Sequence, residues 1–86
     1  MLRFLKTKQG NDAINQFVVT LNNGDSYFIS YGSVIAKISN GVVMLDAYYW
    51  DFSVTTKFYL AQFLGYGVEE IRRRIKNNEI KLVNLN

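Results

Sequence analysis

The chain has 86 residues, a net charge of +3 and 49% apolar residues, with no His and no Cys. This length predicts a single domain, residues 1–86, with a small core, because a short chain buries a limited share of its surface. The composition excludes histidine acid–base catalysis, cysteine nucleophiles, disulfides and Cys/His zinc sites, and no apolar run reaches the ~20 residues of a membrane span.

The first predicted hairpin lies between residues 17 and 31. Residues 2–8 fit a short opening strand, and the polar segment 9–16 predicts a loop. Odd-numbered residues of 17–21 and 27–31 are large and apolar, so we expect them to face the core. For both sets to share a face, the turn needs three residues, with Gly24 in the left-handed conformation of a bulge.

The second predicted hairpin joins residues 34–38 to residues 42–45 through Asn40-Gly41. An Asn-Gly pair tolerates the positive φ angles of a two-residue turn, and this turn places Ala36 opposite Leu45. Gly32 is expected to break the chain between the two hairpins.

Two helices are predicted after the sheet. The first spans residues 54–64, with Asp51 or Ser53 as its N-cap and Gly65 at its exit. Its apolar stripe is expected to contain Val54, Phe58, Ala61 and Leu64, broadened by Leu60 and Phe63.

The second helix is expected to start near Gly67 or Val68 and to end before Asn77-Asn78. Val68, Ile71 and Ile75 share one of its faces. Ile80, Leu82 and Leu85 suggest a closing strand. The predicted fold class is therefore α+β: an antiparallel sheet of two consecutive hairpins followed by two helices, with short N- and C-terminal strands as possible additions.

The carboxylates offer little chemistry. Asp46 and Asp51 flank an aromatic segment, but a strand end and a helix cap explain them. Asn22, Asn23 and Asp25 fit turn chemistry without a metal. We therefore expect a protein that is not an enzyme, with no metal site and no cofactor.

A basic cluster is one candidate binding surface. Its members are Arg72, Arg73, Arg74, Lys76 and Lys81. These side chains suit nucleic-acid phosphates or an acidic protein face. A solvated helix face is the explanation that the sequence favours, because cations in the last turn are stabilised by the helix dipole and need no partner.

An aromatic segment, residues 48–52, is the other candidate. Tyr48 and Tyr49 are expected to provide at least one exposed ring for stacking or for anchoring a protein. Trp50 and Phe52 are expected to close the core instead.

Three stretches of the chain stand out together: Ser30 to Ile38, the motif Trp50-Asp51-Phe52-Ser53-Val54-Thr55-Thr56-Lys57, and Gln62 to Gly65. In these stretches the chain resembles a family of small uncharacterised bacteriophage proteins. The closing segment Ile75 to Leu82 fits the same pattern. The resemblance implies a phage origin and a bacterial host cytoplasm, and it brings no catalytic residue.

These observations favour a non-enzymatic phage accessory protein that binds a host protein or protein–nucleic-acid complex. An anti-CRISPR-like inhibitor of a host defence nuclease is one concrete form. Direct nucleic-acid binding is an alternative, and a homo-oligomeric assembly component that pairs through a free strand edge is another. No membrane partner is expected.

Overall fold

The computed structural model describes residues 1–86 and shows an α+β fold, in which a six-stranded sheet carries two helices on one face. The strands are β1 (Leu2–Lys6), β2 (Asp12–Thr20), β3 (Ser26–Ser30), β4 (Ser33–Ser39), β5 (Val42–Asp46) and β6 (Ile80–Val83). They lie in chain order across the sheet. All neighbours are antiparallel except β5 and β6, which are parallel because both helices intervene between them.

The N-terminal part of the sheet is larger than predicted. The loop predicted for residues 9–16 is present only at residues 9–11, because β2 begins at Asp12 and pairs with β1. Phe4 pairs with Phe17 and Lys6 with Asp12, so one residue of β1 lies opposite four of β2. The bulge accommodates the polar residues of β2. The two strands pair through backbone hydrogen bonds, which do not depend on apolar side chains.

The turn between β2 and β3 has the three residues that were predicted for it. Phe17 pairs with Ile29 and Thr20 with Ser26, so the odd-numbered residues of both strands share one face. The Leu21 amide donates to the Asp25 carbonyl at 2.9 Å, which closes a three-residue loop. Gly24 in that loop has a φ of 94°.

The face of β2 and β3 that meets the core was predicted wrongly. Val18 and Phe28 are buried under the helices, whereas Leu21 and Tyr31, expected inside, are exposed. Each strand carries apolar residues on both faces, so alternation alone does not select one. The helix layer selects the face on which Phe28 packs against Phe63, with ring centroids 5.9 Å apart.

The β4–β5 hairpin has the predicted register, with Ala36 opposite Leu45 and a turn at Asn40-Gly41. Gly32 does not separate two hairpins. Tyr31 and Gly32, with φ angles of 48° and 82°, form a further two-residue turn between β3 and β4. Strands β1 to β5 are therefore one continuous antiparallel meander.

Helix α1 (Val54–Leu64) has the predicted bounds and caps: the Ser53 hydroxyl accepts from the Thr56 amide, and Gly65 ends the helix. Its predicted apolar stripe is partly wrong. Val54 and Phe58 are exposed, and the buried positions are Thr56 and Leu60. Most of the helix circumference is apolar, so spacing alone does not identify the packed face.

Helix α2 (Val68–Lys76) has the predicted packing face. Ile71 is fully buried, and Ile75 packs against the core from one turn further on. Asn77 caps its C-terminus, and Asn78, with a φ of 61°, redirects the chain into β6. The predicted closing strand is present as β6.

Ten buried residues form the core between the sheet and the helices. They are Leu5, Val18, Phe28, Ile35, Ala36, Leu45, Trp50, Leu60, Ile71 and Ile80. Two polar side chains are buried beside them on the same face. Gln16 and Ser30 lie opposite each other on β2 and β3, and neither the Gln16 amide nor the Ser30 hydroxyl has a protein partner.

Candidate binding surface

The aromatic segment is fixed in place by one carboxylate at the end of β5. Asp46 is only 2% exposed. Its Oδ2 accepts from the amides of Tyr48 and Tyr49, at 3.2 and 3.0 Å. Its Oδ1 accepts from the Leu85 amide at 2.8 Å and from the Asn86 side chain at 3.0 Å. Asp46 therefore ties the aromatic segment to the C-terminal residues.

The ionisation of Asp46 follows from these contacts. Burial raises the pKa of Asp46, but three backbone amides and the Asn86 side chain stabilise the carboxylate and together lower the pKa below its ordinary value of 3.8. Asp46 is thus charged at neutral pH and accepts four hydrogen bonds.

Three aromatic side chains pack against one another on the surface, and we name Tyr48, Tyr49 and Phe52 the aromatic cluster. The ring centroids of Tyr48 and Tyr49 lie 4.8 Å apart, and those of Phe52 lie 5.7 and 6.1 Å from them. Tyr48 is 67% exposed and Phe52 64%, while Tyr49 is half-buried. The expectation that Phe52 closes the core is therefore wrong, and the expected exposure of one tyrosine is confirmed.

Trp50 has the role predicted for it. It is buried in the core, and the Arg72 guanidinium lies over its ring, 5.4 Å from the centroid. The tryptophan anchors the aromatic segment in the core, and its ring contacts the middle of α2 through Arg72. Arg72 is thus the member of the basic cluster whose guanidinium lies over a ring of the aromatic segment.

A shallow pocket of about 350 Å³ lies beside the aromatic cluster. Tyr49 and Phe52 line this pocket together with Tyr31 from the β3–β4 turn. Ser30 is also among its lining residues, and the hydroxyl of this serine is buried without a protein partner. Tyr31 therefore extends the exposed aromatic surface, although it was predicted to lie in the core.

The basic cluster is not a uniform cationic surface. The Glu70 carboxylate accepts from Arg73 Nε at 3.0 Å and from Arg74 Nε at 2.7 Å, and it also pairs with Arg73 Nη2. The hydrogen bonds from these two arginines lower the pKa of Glu70 from 4.5 to about 2. Arg74 also lies over the Tyr66 ring, 4.1 Å from its centroid. Two of the five predicted cations are therefore compensated within α2.

Lys81 is separated from the other members of the basic cluster. It pairs in register with Met44, which pairs with Lys37, on the sheet face opposite Ala36 and Leu45. Those two residues face the helices, so the Lys81 position belongs to the other face. The structure brings together Arg72, Arg73, Arg74 and Lys76 on α2, but it does not bring Lys81 to them.

Sequence reasoning missed the role of Asp46, although its local contacts with Tyr48 and Tyr49 could have been predicted. An Asp at a strand end often accepts from amides two and three residues further on, which is what Tyr48 and Tyr49 provide. The contact with Leu85 spans 39 residues and has no local signal.

No group of three or more Asp and Glu side chains comes close enough to hold a metal ion. Neither helix has the length and apolar character needed to cross a bilayer.

Comparison with known proteins gives a family and no activity. No curated protein and no solved structure matches the chain. One family model matches residues 2–79, which includes every element described above except β6. The chain therefore belongs to DUF8033, a family of unknown function.

Proposed function

We propose that this chain is a non-enzymatic binding protein that engages a partner protein through the aromatic cluster. One observation carries the proposal: the rings of Tyr48 and Phe52 are about two-thirds exposed although they are held in a fixed arrangement. Exposed large apolar side chains lose hydrophobic stabilisation, and clustered exposed rings are typical of interaction sites.

The way the cluster is held supports binding. Asp46 fixes the backbone of Tyr48 and Tyr49, and the rings pack on one another. A surface ordered before contact loses less conformational entropy when a partner binds. Aromatic rings have few rotatable bonds and large contact areas, and they are enriched among residues that dominate binding energy.

The mechanism that we propose is occlusion. The cluster inserts into an apolar depression on the partner, and Arg72, beside Trp50, offers a cation near the edge of the contact. No bond is made or broken. The partner loses access to whatever its own surface normally binds.

The proposed setting comes from the resemblance to phage proteins and not from the geometry. In that setting the chain acts in the cytoplasm of a bacterial host as a phage accessory protein on host machinery. An anti-CRISPR-like inhibitor of a host defence nuclease is the concrete version. It predicts that the expressed chain raises the plating of a CRISPR-targeted phage and that Tyr48→Ala/Phe52→Ala removes the effect. Unchanged plating by the wild-type chain would contradict this version.

Direct binding of nucleic acid has less support, because Glu70 compensates Arg73 and Arg74. The Glu70→Gln variant separates the two functions. If this helix contacts phosphates, Glu70→Gln frees Arg74 and leaves Arg73 only its 4.0 Å pair with Glu79. The log–log salt dependence on single strands should then steepen by up to about 1.4, at roughly 0.7 per phosphate. A gel shift by the wild-type chain with a steep salt dependence would favour this alternative.

Quantitative capture from bacterial lysate tests the proposal. The wild-type chain is compared with Tyr48→Ala/Phe52→Ala, and Leu21→Ala/Leu82→Ala serves as the control because both leucines are exposed elsewhere. We expect a protein recovered by the wild type and by the control to be lost from the aromatic variant. Equal recovery by all three chains would contradict the assignment of the surface.

A further inference from the structure

The sheet face opposite the helices is apolar and uncovered. Its apolar residues include Phe4, Phe17, Val19, Tyr27, Ile29 and Met44, and we name this surface the open face. The strand register makes these residues neighbours across the sheet: Phe4 pairs with Phe17, Phe17 with Ile29, and Val19 with Tyr27. The Phe4 and Phe17 rings pack edge to face, with centroids 6.2 Å apart.

The strand sequences indicate that this face is normally covered. An antiparallel sheet with one solvated face alternates apolar and polar residues. Here the segments Phe17-Val18-Val19, Tyr27-Phe28-Ile29 and Val42-Val43-Met44-Leu45 are apolar at every position. Helices cover only the side of Val18, Phe28 and Leu45. Continuous apolar runs of this kind are typical of strands buried on both faces.

The open face carries no uncompensated charge at its centre. Lys37 is its central cation, and its ammonium lies 5.3 Å from the centroid of the Tyr27 ring and 3.9 Å from the Asp25 carboxylate. Both side chains of this ion pair are largely buried against neighbours within the chain. The centre of the face therefore suits an apolar partner, and Lys81, the other cation on this face, lies on the edge strand β6.

The size of the face matches that of a small stable interface. Six strands at ~4.8 Å and five residues at ~3.3 Å give a projected area of about 500 Å². Two such faces in contact remove about 1,000 Å², the lower bound for a specific protein–protein interface.

We propose that the open face packs against the open face of a second copy of this chain. The product is a β-sandwich homodimer, with the two sheets about 10 Å apart and the helices on the outside. A second copy carries the same apolar surface and is present wherever the chain is made. Two-fold pairing of identical surfaces is also the commonest arrangement of soluble oligomers.

The dimer leaves the aromatic cluster accessible. The pocket beside the cluster is lined by Ser53 and Thr56 at the start of α1, so it lies on the helix side of the sheet. A dimer therefore presents two aromatic clusters facing away from the shared interface. This inference does not depend on the proposed function, and either one can fail without the other.

The test is sedimentation equilibrium of the wild-type chain over a wide concentration range, with two open-face variants and one matched control. Phe4→Lys and Val42→Lys each place a charge on the open face, at positions 38% and 40% exposed. Phe58→Lys is the control, because Phe58 is 37% exposed but lies on α1. Circular dichroism establishes that each variant is folded.

We expect a wild-type dimer whose dissociation constant rises about tenfold or more in both open-face variants and is unchanged in Phe58→Lys. A wild-type chain that stays monomeric overturns the proposal. So does a dimer that only Phe4→Lys dissociates, because Phe4 lies on the edge strand β1 and this result indicates edge-to-edge pairing. A dimer weakened by Phe58→Lys places the interface on the helix layer and overturns the proposal as well.

Discussion

The side-chain amide of Gln62 binds the backbone of Lys6 as a neighbouring strand would. Gln62 Oε1 accepts from the Lys6 amide at 2.7 Å, and Gln62 Nε2 donates to the Lys6 carbonyl at 2.9 Å. Lys6 lies on the edge strand β1, where its backbone groups have no further strand to pair with. One side chain of α1 thus closes part of the sheet edge and fixes the helix to it.

We expect Gln62→Ala to lower the free energy of unfolding by about 1–2 kcal/mol, because two hydrogen bonds to the backbone are lost. Urea unfolding measures the change. Gln62→Glu keeps an acceptor for the Lys6 amide but cannot donate to the carbonyl when ionised, so its effect should be similar or larger. Gln9→Ala, at an exposed position, is the control, and an equal effect of Gln9→Ala would contradict the role of Gln62.

Asp46→Asn is expected to destabilise the protein by roughly 3 kcal/mol, since hydrogen bonds to a charged group contribute more than neutral ones. The substitution keeps the size of the side chain but replaces one acceptor oxygen with a donor that faces backbone amides. Thermal unfolding by circular dichroism measures it. Asp51→Asn, at an exposed position next to the same segment, should change stability little. Equal stability of both variants would show that the Asp46 contacts contribute nothing.

Glu70 is expected to make stability depend on pH in the acid range. Its folded pKa is lowered to about 2 from 4.5, so its contribution is complete above pH 4.5 and is lost as the pH falls towards 2. In Glu70→Gln this part of the dependence should disappear, while the part from Asp46, whose pKa is also lowered, remains. Urea midpoints between pH 2 and pH 5 test this, and identical pH profiles for the two chains would contradict it.

Ser30→Ala should be neutral or slightly stabilising. The Ser30 hydroxyl is buried without a protein partner, so the substitution removes no hydrogen bond within the protein and relieves the cost of burying a polar atom. Thr56→Val is the comparison, because the Thr56 hydroxyl is buried but accepts from Ser53 at 3.0 Å. A loss of stability in Ser30→Ala comparable to that in Thr56→Val would contradict the description of Ser30.

Local chemistry made the turns and helix ends predictable from sequence. Asn40-Gly41 fits only a few backbone conformations, and Ser53 and Gly65 cap a helix through atoms within three or four residues. The three-residue turn at Gly24 was also predictable. It follows from the requirement that the large apolar residues of both strands share a face, whichever face is buried.

The buried faces of β2, β3 and α1 could not be predicted, because these elements are apolar where a solvated surface would be polar. Val18 and Val19 offer the same signal on opposite sides of β2, and Leu60 and Phe58 do so on α1. Which side is covered depends on the packing of distant elements. The same reason applies to Phe52, which is large and apolar but is exposed.

The sequence predicted part of the candidate binding surface. Tyr48 and Tyr49 were found because adjacent residues of an extended segment face opposite sides, so one of the two rings was expected to be exposed. The compensation of Arg73 and Arg74 by Glu70 was available in the i,i+3 and i,i+4 spacing of α2, but the charge count alone concealed it.

The most direct test is the dissociation constant of the captured partner for three chains: the wild type, Tyr48→Ala/Phe52→Ala and Arg72→Gln/Lys76→Gln. If the aromatic cluster anchors the partner, the aromatic variant should bind about 30-fold more weakly or worse, and the charge variant within about tenfold of the wild type. Loss of binding in the charge variant with the aromatic variant unaffected would contradict the proposal and assign the contact to α2.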